Sequence, residues 1–128
     1  MTVHVAIAVI INKKNQILIT KRGVEQHQGN KWEFPGGKIE AVETPQQALS
    51  RELKEELGIE LESATFLTNI THQYSSKNIT LEVYEVRKWQ GEPKGLEGQP
   101  MRWVEKTALE DYQFPAANAD LLSILLTS

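Results

Sequence analysis

The chain has no cysteine among its 128 residues, only two methionines and nine aromatic side chains, and no excess of positive charge. The missing cysteines exclude a disulfide scaffold and any thiolate metal site, so a bound metal must take oxygen or histidine ligands. They also fit a reducing compartment. A net charge of −3 and a pI near 5.6 speak against a general nucleic-acid binder, which would carry a basic patch. They do not speak against a small phosphorylated ligand, because a bound cation supplies local positive charge. Long hydrophobic runs are missing as well. The longest, Val5 to Ile11, is too short to span a membrane, and no basic leader or small-residue cleavage site surrounds it. No repeat, low-complexity tract or linker divides the chain, so residues 1–128 read as one cytoplasmic domain with its own core.

What is present is ordered as alternating strands and helices. Val3–Ile11 is rich in β-branched residues and reads as a mostly buried strand, Asn12–Asn15 as a turn, and Ile17–Lys21 as a returning strand. A polar loop over residues 23–30 precedes a short strand, Trp32–Phe34, which Pro35 stops. Ala64–Tyr74 and Ile79–Trp89 form a hairpin around Ser75–Asn78, and Met101–Val104 is a further strand. Thr107–Asp111 suits a helical turn, and a C-terminal helix with Leu121, Leu122, Ile124, Leu125 and Leu126 starts near Asn118. The order suggests a mixed sheet with helices packed on it, an α/β fold.

One helix is punctuated at both ends. Thr44 is a good N-cap, Pro45 suits the first helical position, Gln47 completes a capping box, and Gly58 terminates the helix. Leu49, Leu53 and Leu57 make its buried stripe. Glu52 and Glu56 border that stripe and Glu55 lies further round, with Glu43 just before the helix. Two of these glutamates sit in the last turn, where the helix dipole repels anions by roughly 0.3–1 kcal/mol each. Glu52 and Glu56 add an i,i+4 repulsion. A segment that breaks local rules without visible compensation is expected at a functional site. The simplest compensation is a hard divalent cation, Mg²⁺ with Mn²⁺ as substitute, held by carboxylates beside substrate phosphates. Such a site suits hydrolysis of a phosphoric anhydride, with a spare glutamate as general base.

Gly37, Glu43, Arg51-Glu52-Leu53, Glu55-Glu56 and Gly58-Ile59 fill every fixed position of the pattern G-x5-E-x7-R-E-U-x-E-E-x-G-U, where U is a bulky aliphatic residue. The chain thereby resembles the Nudix family, whose members typically hydrolyse a nucleoside diphosphate linked to another group with Mg²⁺ or Mn²⁺. The segments EFPGGKIE (33–40), WQGEP (89–93), EGQP (97–100) and FPAAN (114–118) are similar to its MutT branch. The resemblance implies an α/β/α sandwich around a mixed sheet. It also implies conversion of 8-oxo-dGTP to 8-oxo-dGMP and pyrophosphate by water attack at the β-phosphorus, which keeps a mutagenic nucleotide out of DNA.

By the same resemblance, Glu52, Glu55, Glu56 and the Gly36 carbonyl hold the metal, and Glu97 approaches it from a loop. Glu52 is the first choice for the base, Arg51 braces the carboxylates, and Glu43 and Gly37 support them. Asn118 matches the base-reading amide, whose donor and acceptor suit a purine edge. Arg22, Phe34 and Lys77 match other positions around the nucleotide; Lys77 stands where an arginine is usual and lacks its planar fork.

Competing readings attach to single residues. Glu97 is also an ordinary loop acid, and Asn118 also a plausible N-cap. His4 reads as a structural histidine, His27 as a surface loop residue, His72 as sheet surface, and Trp32, Trp89 and Trp103 as packing residues. Two other functions remain open. One is a Nudix enzyme for CTP, a methylated pyrimidine triphosphate or another nucleoside diphosphate derivative; the other is a noncatalytic nucleotide-binding Nudix domain. The expected state is a monomer with a nucleoside triphosphate substrate, no stable nucleic-acid binding and no membrane association.

Overall fold

The computed structural model describes residues 2–23 and 30–127; His27 lies outside them. Strand β1 (Thr2–Ile10) runs parallel to β6 (Asn78–Gln90) and antiparallel to β4 (Gly36–Lys38), and β5 (Glu60–Gln73) pairs antiparallel with β6. These form a four-stranded mixed sheet in the order β4-β1-β6-β5. A smaller antiparallel sheet has the order β3-β2-β7, with β2 at Gln16–Lys21, β3 at Trp32–Glu33 and β7 at Met101–Glu105. Helix α1 (Pro45–Leu57) and helix α2 (Ala116–Thr127) complete the fold, with a 3-10 turn at Lys106–Asp111 before α2.

Alternation along β1 builds the two cores. Ala6, Ala8 and Ile10 pack with Leu49, Leu53 and Leu57 of α1, whereas Ile7 and Val9 pack with Leu121 and Leu125 of α2. The result is an α/β/α sandwich, as expected. The three leucines of α1 are fully buried, each contributing roughly 1.5–3 kcal/mol of transfer free energy. Both caps of α1 form as read: Thr44 Oγ1 accepts the Gln47 N–H at 3.1 Å, Gln47 Oε1 accepts the Thr44 N–H at 2.9 Å, and Gly58 closes the helix at φ 70°.

Several expectations change. Gly36–Lys38 is a strand that no propensity announces, because it is made by pairing with β1. Gly36 has φ +149°, and a Cβ there would overlap the Ala6 carbonyl oxygen, so glycine alone lets β4 lie this close. Strand β5 begins at Glu60, four residues before the expected Ala64. Asn118 is inside α2, not its N-cap: the Asn118 and Ala119 N–H groups both donate to the Pro115 carbonyl at 2.9 Å. His4 is exposed on β1 rather than packed. Among the described residues no helix is long and apolar enough to cross a membrane.

Candidate active site

Arg51, at the middle of α1, gathers the acids of the motif. Its Nε and Nη2 donate to the two oxygens of Glu43 at 2.7 and 2.9 Å, and its Nη1 donates to Glu52 Oε1 at 2.8 Å. Nη1 also lies 3.5 Å from Glu55 Oε2, and Nη2 donates to the Lys38 carbonyl at 3.0 Å. The guanidinium, helped by the Glu40 N–H, lowers the Glu43 pKa to about 2. Glu43 thus serves as an anchor for Arg51, and Arg51 ties the helix to β4.

Glu56 stands in the opposite electrostatic situation. Its side chain is buried and its Oε2 has no hydrogen-bond partner among the described residues. Burial raises its pKa far above the carboxylate range; a hydrogen bond with Glu52 and the charges of Glu52, Glu33 and Glu97 push the same way. An orphaned buried oxygen costs on the order of 1–3 kcal/mol. Oxygen donors from Glu52, Glu56, Glu97 and the Gly36 carbonyl, with one buried oxygen unpartnered, suit a hard divalent cation. Glu52, Glu56, Glu97 and Gly36 line one cavity of about 370 Å³, which Lys77 also borders. Glu55 does not line it; its side chain is 57% exposed on the Arg51 side. Among the described residues no three acidic or histidine side chains converge closely enough to enclose an ion.

The loop after β6 brings Glu97 to the site by capping α1. Lys94 N–H donates to the Leu57 carbonyl and Leu96 N–H to the Glu56 carbonyl, both at 3.0 Å. Gln99 Nε2 donates to the same Glu56 carbonyl at 3.1 Å, while Gln99 Oε1 accepts the Glu97 N–H at 2.9 Å. These donors satisfy carbonyls that a helix end otherwise leaves unpaired. The same bonds fix the residue next to Glu56 in space.

A second, more apolar cavity adjoins the carboxylates. It is bordered by Tyr74, Leu81, Pro115, Ala117 and Asn118, and it shares Val5, Ile7, Ile79, Arg22 and Glu33 with the first. Arg22 Nη1 pairs with Glu33 Oε1, and burial raises the Glu33 pKa against the opposing pull of Arg22. Asn118 is buried, and its Oδ1 accepts the Phe34 N–H at 3.4 Å. Tyr74 Oη accepts the Ala117 N–H at 3.1 Å, steadying the same end of α2. The Phe34 ring does not face this cavity. It is 1% exposed and stacks on Phe114, centroids 5.3 Å apart, so Phe34 meets the site through its main chain.

Sequence reasoning passed over Glu33, Gln99 and the capping use of the 91–99 loop. Glu33 had a faint signal, a lone acid between Trp32 and Phe34 in a strand whose alternate residue is core. Gln99 had none, since its role depends on a partner 43 residues away.

An α/β/α sandwich carrying a braced glutamate helix beside a nucleotide-sized cleft is the construction of a Nudix hydrolase. Residues 6–123 match the NUDIX domain model, and the chain belongs to the Nudix family. It is 42% identical over 122 residues to the 8-oxo-dGTP diphosphatase of Escherichia coli, covering 95% of each chain. It is 46% identical over 124 residues to the 8-oxo-dGTP diphosphatase of Haemophilus influenzae, covering 97% of this chain and 91% of that one. A solved MutT structure, from work on the Aliivibrio salmonicida and Vibrio cholerae proteins, superposes with a TM-score of 0.86 at 34% identity, covering 99% and 98% of the two chains.

Proposed function

We propose that this protein hydrolyses 8-oxo-dGTP to 8-oxo-dGMP and pyrophosphate with Mg²⁺, as a cytoplasmic monomer that removes a mutagenic precursor from the nucleotide pool. The observation that carries the reading is the joining of two cavities along a wall of Val5, Ile7, Ile79, Arg22 and Glu33, one rich in carboxylates and the other more apolar and ending at Asn118. That layout separates a triphosphate end from a base end. The names of the relatives above support the same substrate.

Glu52, Glu55, Glu56, Glu97 and the Gly36 carbonyl are the proposed ligands; Glu55 reaches them by turning away from Arg51. When bound, the cation neutralises phosphate oxygens and lowers the pKa of water. Glu52, held by Arg51 at the cavity wall, takes the proton from the attacking water. A new oxygen–phosphorus bond forms at the β-phosphorus, and the bond to the bridging α–β oxygen breaks. The nucleoside monophosphate leaves with that oxygen. Arg22 and Lys77 bring positive charge to the nucleotide, and the Asn118 amide pairs with the purine edge.

Glu52→Gln is expected to lower kcat by at least ~10²-fold, the usual scale for losing a general base. Near-normal turnover would remove Glu52 from that role. Competition between 8-oxo-dGTP and dCTP, scored by kcat/KM, tests the substrate, and a clear preference for dCTP would replace the purine reading with the pyrimidine one.

A further inference from the structure

A further cavity lies elsewhere. About 620 Å³ in volume, it lies between the turn joining β1 to β2 and the ends of β5, β6 and β7, and it shares no residue with the cavities described above. The active-site cavity is bordered by Val3, Val5 and Ile7 of β1, whereas this one begins at Asn12. At about 3.3 Å per strand residue, Ile7 and Asn12, the nearest of these, stand roughly 16 Å apart.

Its wall is aromatic. Trp89 and Trp103 both line it, stacked with centroids 6.2 Å apart and planes 19° from parallel. Its rim is cationic. Lys13, Lys14, Arg87 and Lys88 surround it, with Glu62 as the one acid among its described lining residues. Arg87 is engaged by Glu85 at 2.6 Å, but Lys13, Lys14 and Lys88 are in no ion pair among the described residues. In a chain of net charge −3, three such lysines around a pair of indoles form a local field of the opposite sign.

The rim is also built rather than frayed. Asn12 Oδ1 accepts the N–H groups of Lys14 and Gln16 at 3.0 and 2.9 Å, and Asn12 Nδ2 donates to Gln16 Oε1 at 3.0 Å. Asn15 takes the left-handed conformation, φ 64°, that closes the turn. Across the cavity, β5 is irregular between Leu61 and Ser63, which face Trp89 and Lys88, so Glu62 has no register partner. Such bulges re-aim side chains and gather beside functional sites.

We propose that this cavity is a second, noncatalytic site that binds a nucleoside diphosphate. An indole face accepts the base by stacking, worth about 1–3 kcal/mol per base in nucleic-acid-binding proteins. The three lysines match a diphosphate better than a single phosphate, and the volume falls within the roughly 300–1,000 Å³ of small-molecule sites. With Glu62 alone, the cavity has no carboxylate cluster to hydrolyse what it holds.

The test is titration of the ¹⁵N-labelled full chain, with Mg²⁺ present, by α,β-methylene-ADP, which resists hydrolysis. The indole Nε1–H signals of Trp89 and Trp103 should shift saturably. The exposed double variant Lys13→Glu/Lys88→Glu should weaken that binding at least tenfold while leaving kcat/KM for 8-oxo-dGTP within twofold. Adenosine alone and methylenediphosphonate alone should each bind at least tenfold more weakly than the whole nucleotide. The proposal is overturned if Trp89 and Trp103 do not respond, or if the double variant binds as well as the parent. Equal affinity for methylenediphosphonate would reduce the site to an anion patch. Shifts produced by an oligothymidylate and not by the nucleotide would make it a nucleic-acid face.

Discussion

Gln99 Nε2 donates to the main-chain carbonyl of Glu56 at 3.1 Å, while its Oε1 accepts the N–H of Glu97 at 2.9 Å. One neutral side chain therefore closes the end of helix α1 and holds the loop acid beside the buried carboxylate. Capping bonds thus add the loop acid to the carboxylates that Arg51 gathers at the helix.

Gln99→Ala should lower kcat with little change in KM for 8-oxo-dGTP. Losing its two hydrogen bonds, at about 0.5–1.5 kcal/mol each, would lower the rate by roughly 5–160-fold if they act only on the reacting geometry. Steady-state kinetics separates this from a binding role. A rise in KM at constant kcat would show that Gln99 serves the substrate directly.

Gly36 and Gly37 should respond differently to alanine. The three atoms nearest a Cβ at Gly37 all belong to the Glu52 carboxylate, the movable end of a side chain, so the fold should survive and the proposed base be displaced. A drop of about 10²-fold in kcat with nearly unchanged Tm is expected. A Cβ at Gly36 meets the Ala6 backbone at a positive φ, and Gly36→Ala should cost roughly 1–3 kcal/mol in urea unfolding. A Gly37→Ala protein as active as its parent would remove Glu52 from the chemistry.

Asn118→Ala removes the acceptor for the buried Phe34 N–H. Stability should fall by about 1 kcal/mol, since the bond is long and its loss leaves one donor unpaired. Discrimination between 8-oxo-dGTP and dGTP should fall further than turnover of either. Equal loss of efficiency on both substrates would leave Asn118 a scaffold residue.

Protonation of Glu56 sets a pH dependence with a definite sign. Its folded pKa lies above the ordinary 4.5, so its contribution to stability is present below that value and is lost as pH rises through neutrality. Glu43 works the other way, its contribution being present above 4.5 and lost as pH falls toward 2. Protein freed of metal by EDTA should therefore lose Tm as pH rises from 4.5 toward about 9. Mg²⁺ should restore more at the upper end, because its ligands must be deprotonated. Calorimetry in buffers of different ionisation enthalpy should register proton release on Mg²⁺ binding. Binding without release would mean that Glu56 is already ionised.

Helix α1 was legible in the sequence down to its caps, because capping boxes, leucine spacing and C-terminal glycine act within a few residues. The electrostatic cost of Glu52 and Glu56, on which their proposed metal role rests, was legible for the same reason: it is local, in a helix end and an i,i+4 pair. Strand β4 was not, since its glycines have no strand preference and its hydrogen bonds belong to β1. Phe34 looked like pocket lining until its ring was found against Phe114. Asn118 looked like a cap until Pro115 took that place.

The sequence by itself determined the α/β class and the capped glutamate helix through short-range patterning, and a motif with many occupied positions determined the family and, through it, the α/β/α sandwich. Tertiary structure alone decided that Glu33 joins the two cavities, that Gln99 holds Glu97 at the helix end, and that Asn118 and Phe34 meet across 84 residues. It also set Trp89 against Trp103 beneath a lysine rim. Those relationships depend on where distant strands and loops come to rest, and no local preference of the chain encodes them.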